Sequence, residues 1–192
     1  MIKTENFDKV PVASQEELRH WLRHNHEKQE SVWLVTFKKE VPEKYLSTGQ
    51  VLDELLYFGW IDGIRRKLDE TRTMQLISPR KTQHWTKTYK DRAQKLIDSG
   101  QMQPAGYASI EAGKKSGLWH FMDDVDALII PTDLEKALKA KPVAFEFFVS
   151  INPSSKRFVL RWLKLSKTEK TRIKRIEQLV MLSARGEKLK GS

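Results

Sequence analysis

"YFGWIDGIRRKLDETRTMQLISPR", residues 57 to 80, decides the fold class. Two runs with strand character, Trp60 to Lys67 and Arg72 to Ser78, flank Asp69-Glu-Thr71, a turn-forming segment, and the second run stops before Pro79, which cannot donate to a strand ladder. The expectation is an antiparallel hairpin. Before it, Gly59 ends a helix that Thr48 caps and that carries Val51, Leu52, Leu55 and Leu56 inward. Further upstream "SVWLVTFKK" from Ser31 reads as another strand, and the capping-box pattern Ser14-Gln-Glu-Glu17 opens a first helix that runs to about Lys28.

Downstream of Pro79 the period changes from two to 3.6. Helices are expected at Asp91 to Ser99 with Gly100 after it, from Pro104 to Lys115, and from the capping box Thr132-Asp-Leu-Glu135 to Ala140. Pro142 opens "VAFEFFVSI", Pro153 precedes a helix through Phe158, Leu160 and Trp162, and Ser166-Lys-Thr-Glu169 caps the last helix, with Ile173, Ile176 and Val180 inward. Strands in front and helices alone behind predict an α+β fold: a small antiparallel sheet covered by helices, followed by a helical C-terminal subdomain. The join is placed in "SGLWHFMDDVD", giving an α+β sheet subdomain with a pocket over residues 1–117 and a basic helical subdomain over 118–192.

Composition narrows the chemistry. A chain of 192 residues buries roughly 70% of its unfolded surface and needs no covalent staples. Cysteine is absent, which excludes disulfides, thiolate metal sites and cysteine nucleophiles. The first residues, "MIKTENFDKVPVASQ", lack an apolar core of signal-peptide length, and no window approaches the ~20 apolar residues of a membrane helix. A cytoplasmic location is the expectation.

The formal charge is +10, and it is concentrated at one end. From Lys156 to Ser192 there are 12 basic residues against Glu169, Glu177 and Glu187, a local balance of 12 − 3 = +9. Such a field attracts polyanions, with Lys167, Lys170, Lys174 and Arg175 as the contact candidates; the alternative is a solvated helical face without a partner.

Within the hairpin, Asp62 stands between Trp60 and Ile64. Strand parity puts Trp60, Asp62, Ile64 and Arg66 on one face and Ile61, Gly63, Arg65 and Lys67 on the other. A carboxylate among apolar neighbours needs a partner. Arg66 lies roughly 13 Å away along a regular strand. Antiparallel pairing instead returns Arg80 towards Asp62, which makes Arg80 the expected partner, directly or through one water. The pair can be a site or a buried structural ion pair, and both readings stay open.

Trp85, beside Arg80, Lys81, His84 and Lys87, combines ring surface with positive charge, the mixture used for bases and nucleotides, although tryptophan is also a common core residue. Gly63 is too isolated for a nucleotide fingerprint and fits a bulge or a close backbone approach. His20 and His24 are one helical turn apart without a third ligand at metal-site spacing, so no metal or cofactor is expected. No phosphate loop, nucleophile elbow or metalloprotease helix occurs.

"FGWIDGIRRKLDE", "SPRKTQHWTK" with "LIDSGQMQPAG", and "PVAFEFFVSINPSSKRFVLRWLKLSKTEKTRIKRIEQLVMLSARGEK" resemble, in order and spacing, successive blocks of the YdeI/OmpD-associated family, also labelled bacteriocin-protection proteins, over about Glu16 to Lys188. The resemblance implies a cytoplasmic, mostly bacterial protein with no assigned reaction. It places the family's tryptophan, aspartate and glycine on Trp60, Asp62 and Gly63, its proline-arginine pair on Pro79 and Arg80, its loop tryptophan on Trp85 and a hydroxyl on Thr86. Two positions depart: His84 stands where serine is usual and Tyr89 where asparagine is usual. A ligand held by that serine and asparagine would be different or absent here.

These readings converge on a pocket lined by Trp60, Asp62, Arg80, Trp85 and Thr86 and on a basic tail. The expected function is non-catalytic binding of an anionic partner, nucleic acid or a phosphorylated small molecule, in stress or bacteriocin protection. Two alternatives accompany it. In one, Asp62 is the general base of an enzyme acting on a small anionic metabolite. In the other, the tail docks an acidic protein or a membrane surface in envelope stress.

Overall fold

A computed structural model describes residues 6–192, which form two compact units, residues up to His120 and Phe121–Ser192, each with its own hydrophobic core. The first unit runs β1 (Lys9–Pro11), α1 (Gln15–Asn25), β2 (Val32–Phe37), α2 (Thr48–Tyr57), β3 (Trp60–Lys67), β4 (Arg72–Pro79), α3 (Lys87–Asp98) and α4 (Pro104–Lys115). Its sheet has the order β1-β2-β4-β3. β2, β4 and β3 are antiparallel neighbours as the hairpin reading predicts, while β1 adds a short parallel edge that the pattern did not announce. Three residues ending in Pro11 carry too little alternation to signal a strand, and proline is tolerated there because the strand is on the edge.

The hairpin turn is closed by Asp69, whose carboxylate accepts from the backbone of Thr71 (2.9 Å) and Arg72 (2.7 Å) and from Arg72 Nε (2.7 Å). These donors, the Arg72 side chain foremost, hold the Asp69 carboxyl down at about 2. Gly59 ends α2 with φ +71°, and Phe58 is the C-cap. The start of α2 differs by one residue from expectation: Ser47, not Thr48, is the N-cap, because the reciprocal bonds of a capping box require Gln50 at the third position. α1 ends at Asn25, one turn short of Lys28, while Ser14 caps it by accepting from Glu17 N.

Between Asp62 and Arg65 the β3–β4 register slips, so that Gly63 and Ile64 oppose the single residue Leu76. This is the bulge that Gly63 suggests; a Cβ there would sit 3.2 Å from the Leu76 carbonyl oxygen. The slip overturns the simple parity of the strand. Beyond it Arg65, not Arg66, shares the face of Trp60 and Asp62, and Arg66 crosses to the other face, where its guanidinium lies 5.3 Å from the Trp33 ring. The Asp62 face is the core face. Val32, Leu34, Ile77 and Trp60 on it pack with Leu18 and Leu22 of α1, Val51, Leu55 and Leu56 of α2, and Ala93 and Leu96 of α3.

The second unit contains one turn, α5 (Asp123–Asp126), then α6 (Thr132–Lys139), α7 (Pro142–Ser150), α8 (Pro153–Lys164) and α9 (Glu169–Ala184). Leu134, Leu138, Ala144, Phe148, Leu160, Leu163 and Leu179 form its core. Prolines at the first helical position open α7 and α8, and Asn152 caps α8 by accepting from Ser155 N at 2.9 Å. Two caps fall elsewhere than the pattern predicts. Pro131 occupies the N-cap of α6, with Thr132 already inside the helix, and α9 is capped by Thr168 through Thr171 N at 3.1 Å, not by Ser166. Among the described residues no helix is long and apolar enough to cross a membrane.

Candidate functional site

The bulged strand β3 and the start of α3 assemble a polar cluster at the edge of the first core. Register puts Asp62 opposite Ile77 and Arg65 opposite Gln75. The Gln75 side chain therefore lies between the two, donating to Asp62 Oδ2 at 3.0 Å and accepting from Arg65 Nη2 at 2.7 Å. The other oxygen of Asp62 accepts a short hydrogen bond from the Tyr89 hydroxyl. Both carboxylate oxygens are thus engaged by neutral donors, which satisfy a half-buried carboxylate without an ion pair.

Of the two contacts expected between Arg80 and Asp62, direct or through one water, the direct one is not made. The hairpin does bring Arg80 back: Trp60 pairs with Pro79, and Arg80 N donates to Gly59 O at 2.9 Å. Its guanidinium, however, is clamped between two rings, 4.0 Å from the Trp85 centroid and 4.8 Å from that of Tyr89. Nη1 makes long bonds, 3.4 Å each, to the carbonyls of Gln83 and His84. Nε and Nη2 are buried without a hydrogen-bond partner among the described residues, as is Ser109 Oγ. Burial pushes the Arg80 pKa down to about 10, against the pull of Tyr89 and Asp62, and the group remains a cation at neutral pH. Cation–π attraction is strongest when desolvated, which is how a cation that makes no direct ion pair among the described residues is held here. Tyr89 is the hinge of the arrangement, its hydroxyl on Asp62 and its ring on Arg80.

The two tryptophans of the expected pocket are core residues. Trp60 has no exposure, donates Nε1 to His26 O at 3.0 Å and meets Trp21 edge-on. Trp85 is 2% exposed, tilted against Trp119 at 4.9 Å, and so close to α4 that a Cβ on Gly113 would lie 2.5 Å from its Nε1. Its accessible face is taken by Arg80, so a ligand does not reach the ring in this conformation. Thr86 is the N-cap of α3, but its side chain does not bond the helix. The sequence therefore brings Trp60, Asp62, Arg80, Trp85 and Thr86 into one region, joined through Tyr89, Gln75 and Arg65. Nothing local in the sequence gives those three as site residues beyond the departure of Tyr89 from the family pattern; the signal for Arg65, and through it for its partner Gln75, is the bulge at Gly63, which resets the parity of β3.

In the second unit the four basic candidates separate. Lys167, Lys170 and Lys174 are exposed, and Lys170 and Lys174 are one helical turn apart on α9. Arg175 turns inward: Nη1 donates to the Trp162 carbonyl and, at 3.3 Å, to Ser166 Oγ, and its guanidinium lies 4.6 Å from the Trp162 ring. Neighbouring cations are neutralised locally, Lys164 by Asp124 at 2.5 Å and Arg172 by a two-bond fork to Asp133. That fork holds the Asp133 carboxyl below its usual range and raises Arg172. The His20 and His24 rings lie 4.4 Å apart between centroids, tilted by 46°, and among the described residues no group of three His, Asp or Glu could hold a metal ion.

Residues 10–109 match a family described only as a domain of unknown function (DUF8412), and residues 127–186 match the family described as bacteriocin-protection, YdeI or OmpD-associated. No curated protein and no solved structure matches the chain. The C-terminal block of the sequence resemblance thus falls in the bacteriocin-protection match. The blocks around Trp60 and Arg80 fall in the other, so the roles of those residues stand on their geometry.

Proposed function

We propose that this chain, which belongs to the family matched over residues 10–109 and carries a bacteriocin-protection, YdeI or OmpD-associated domain behind it, is a non-catalytic cytoplasmic protein whose helical unit binds a polyanion, nucleic acid first. The observation that carries this reading is the contrast along α9. Arg172 and the nearby Lys164 are matched to acids, whereas Lys167, Lys170 and Lys174 stand exposed with no ion pair among the described residues. Unmatched cations just before and within the first turns of α9, in a segment of balance +9, supply a local positive field without desolvation cost.

Three phosphate contacts give a log–log salt slope of roughly −2 to −2.7. Fluorescence anisotropy with labelled single- and double-stranded oligonucleotides measures it. Replacing Lys167, Lys170 and Lys174 by glutamine flattens the slope, while Arg175→Gln leaves it near wild type because that side chain faces Trp162. Absence of binding to either oligonucleotide at low salt rejects nucleic acid and transfers the reading to an acidic protein or anionic membrane surface, in envelope stress or bacteriocin protection.

A second reading rests on a separate observation, the unpartnered Nε and Nη2 of Arg80. In it, Trp60, Asp62, Arg80, Trp85 and Thr86 frame a site for a phosphorylated small molecule, reached by displacement of the loop between Pro79 and Thr86. A thermal-shift screen of nucleotides and sugar phosphates, repeated on Arg80→Ala, tests it; no shift in the wild type removes it. Tyr89 and Gln75 each occupy one lone pair of one Asp62 oxygen, so general-base chemistry there would use a remaining lone pair, and consumption of a bound compound that stops in Asp62→Asn would establish it.

A further inference from the structure

Away from the hairpin, α1, the end of α2 and the segment joining α3 to α4 enclose a cavity of about 110 Å³ lined by Arg19, Arg23, Tyr57, Phe58, Gln101 and Gln103. Its back wall is electrically closed. Glu54 on α2 is fully buried and receives Arg19 Nε at 2.9 Å, Arg19 Nη2 at 2.6 Å and Gln15 Nε2 at 2.6 Å. That fork fixes the Arg19 guanidinium, 5.2 Å from the centre of the Tyr57 ring, while 41% of the side chain stays exposed. The bond to Glu54 raises the Arg19 pKa, so this cation is permanent.

The front wall is not closed. Arg23, one turn along α1 on the same face, is exposed and makes no side-chain bond or ion pair among the described residues. The Tyr57 hydroxyl, kept protonated at neutral pH by burial, donates to Gln101 Oε1 at 2.7 Å. That bond commits the oxygen end of the Gln101 amide and leaves its nitrogen as a donor. The walls therefore carry one uncompensated positive charge, two planar guanidinium groups and a free amide donor. Guanidinium forks match planar carboxylates in a two-bond geometry, and one net charge matches a monoanion better than a dianion. The volume is that of roughly three or four water molecules, enough for a carboxylate head group and a short stem.

We propose that this cavity binds a monocarboxylate, held by Arg23 and the exposed edge of Arg19, with Gln101 as amide donor. It is independent of the polyanion surface. The head group can belong to a free short-chain acid or to the C-terminus of a peptide.

The test is a side-chain ¹H–¹⁵N NMR titration of the full chain at constant ionic strength with sodium propionate, with chloride and inorganic phosphate as comparators. Saturable shifts of the Arg23 Nε–H and Gln101 amide signals are expected with propionate. Arg23→Gln, a surface change that leaves the core intact, should weaken binding about tenfold or more by removing a charge-assisted bond. Arg185→Gln in the other unit leaves it unchanged. An acetylated tripeptide with a free C-terminus that competes, while its amidated form does not, assigns the source to peptides; propionate binding without peptide competition assigns it to free acids. Shifts that never saturate, phosphate binding tighter than propionate, or saturation that persists in Arg23→Gln overturns the proposal.

Discussion

Tyr89→Phe isolates the bond on which the hairpin cluster depends. The substitution keeps the ring, and with it the contact to Arg80 and the packing against the core, and removes only the hydroxyl that donates to Asp62. A hydrogen bond to a charged group contributes about 1.5–3 kcal/mol, and because Asp62 is half-buried, water replaces part of the loss, which sets the expected cost at about 1.5–2 kcal/mol. Asp62→Asn is the informative companion. Asparagine still accepts from Tyr89, and turning the Gln75 amide to meet its new donor gives up the bond from Arg65, an exposed group that water can serve instead, so about 1 kcal/mol is expected. Had Asp62 been the counter-charge of Arg80, the same change would cost about 3–5 kcal/mol by leaving a buried arginine unpaired. Five of the six tryptophans (Trp21, Trp33, Trp60, Trp85 and Trp119) lie in the first unit, so fluorescence-detected urea unfolding reports on that unit. For Tyr89→Phe the melting temperature should fall by roughly 5–8 °C. A Tyr89→Phe protein within about 0.5 kcal/mol of wild type, or an Asp62→Asn protein that loses 3 kcal/mol or more, refutes the neutral-donor account.

Gly113→Ala should destabilise by about 1–2 kcal/mol in the same assay, because the clash of the new Cβ with Trp85 Nε1 outweighs the helix-propensity gain of about 1 kcal/mol; a gain in stability would show that Trp85 moves freely. The Asp69 carboxyl should titrate at about 2 by ¹³C NMR and return towards the ordinary carboxylate range in Arg72→Gln. Because its folded pKa lies below the ordinary value of 3.8, its contribution to turn stability is present above that value and is lost as pH falls through about 2; titration near 4 in the wild type contradicts the turn geometry. The salt-slope and propionate experiments complete the set, one for each proposed binding surface.

The sequence by itself determined the α+β class, the hairpin of Trp60–Lys67 with Arg72–Ser78, which the structure extends by one residue to Pro79, the helix stops at Gly59 and Gly100, and the all-helical basic C-terminus. These follow from local rules: turn residues, proline and glycine positions and hydrophobic period act over a few residues and leave a mark in the chain itself. Tertiary structure decided which groups meet. Gly63 announced a bulge, but only the pairing of β3 with β4 showed that Arg65 replaces Arg66 beside Gln75. Arg80 returned to the expected place, yet its charge went between Trp85 and Tyr89 because α3 lays Tyr89 in the space between Arg80 and Asp62. The buried pair of Glu54 with Arg19 was invisible for the same reason: the two are 35 residues apart, on separate helices, and nothing within either helix pairs them. Whether a charge meets water, an acid or an aromatic ring depends on long-range packing, which no local pattern encodes.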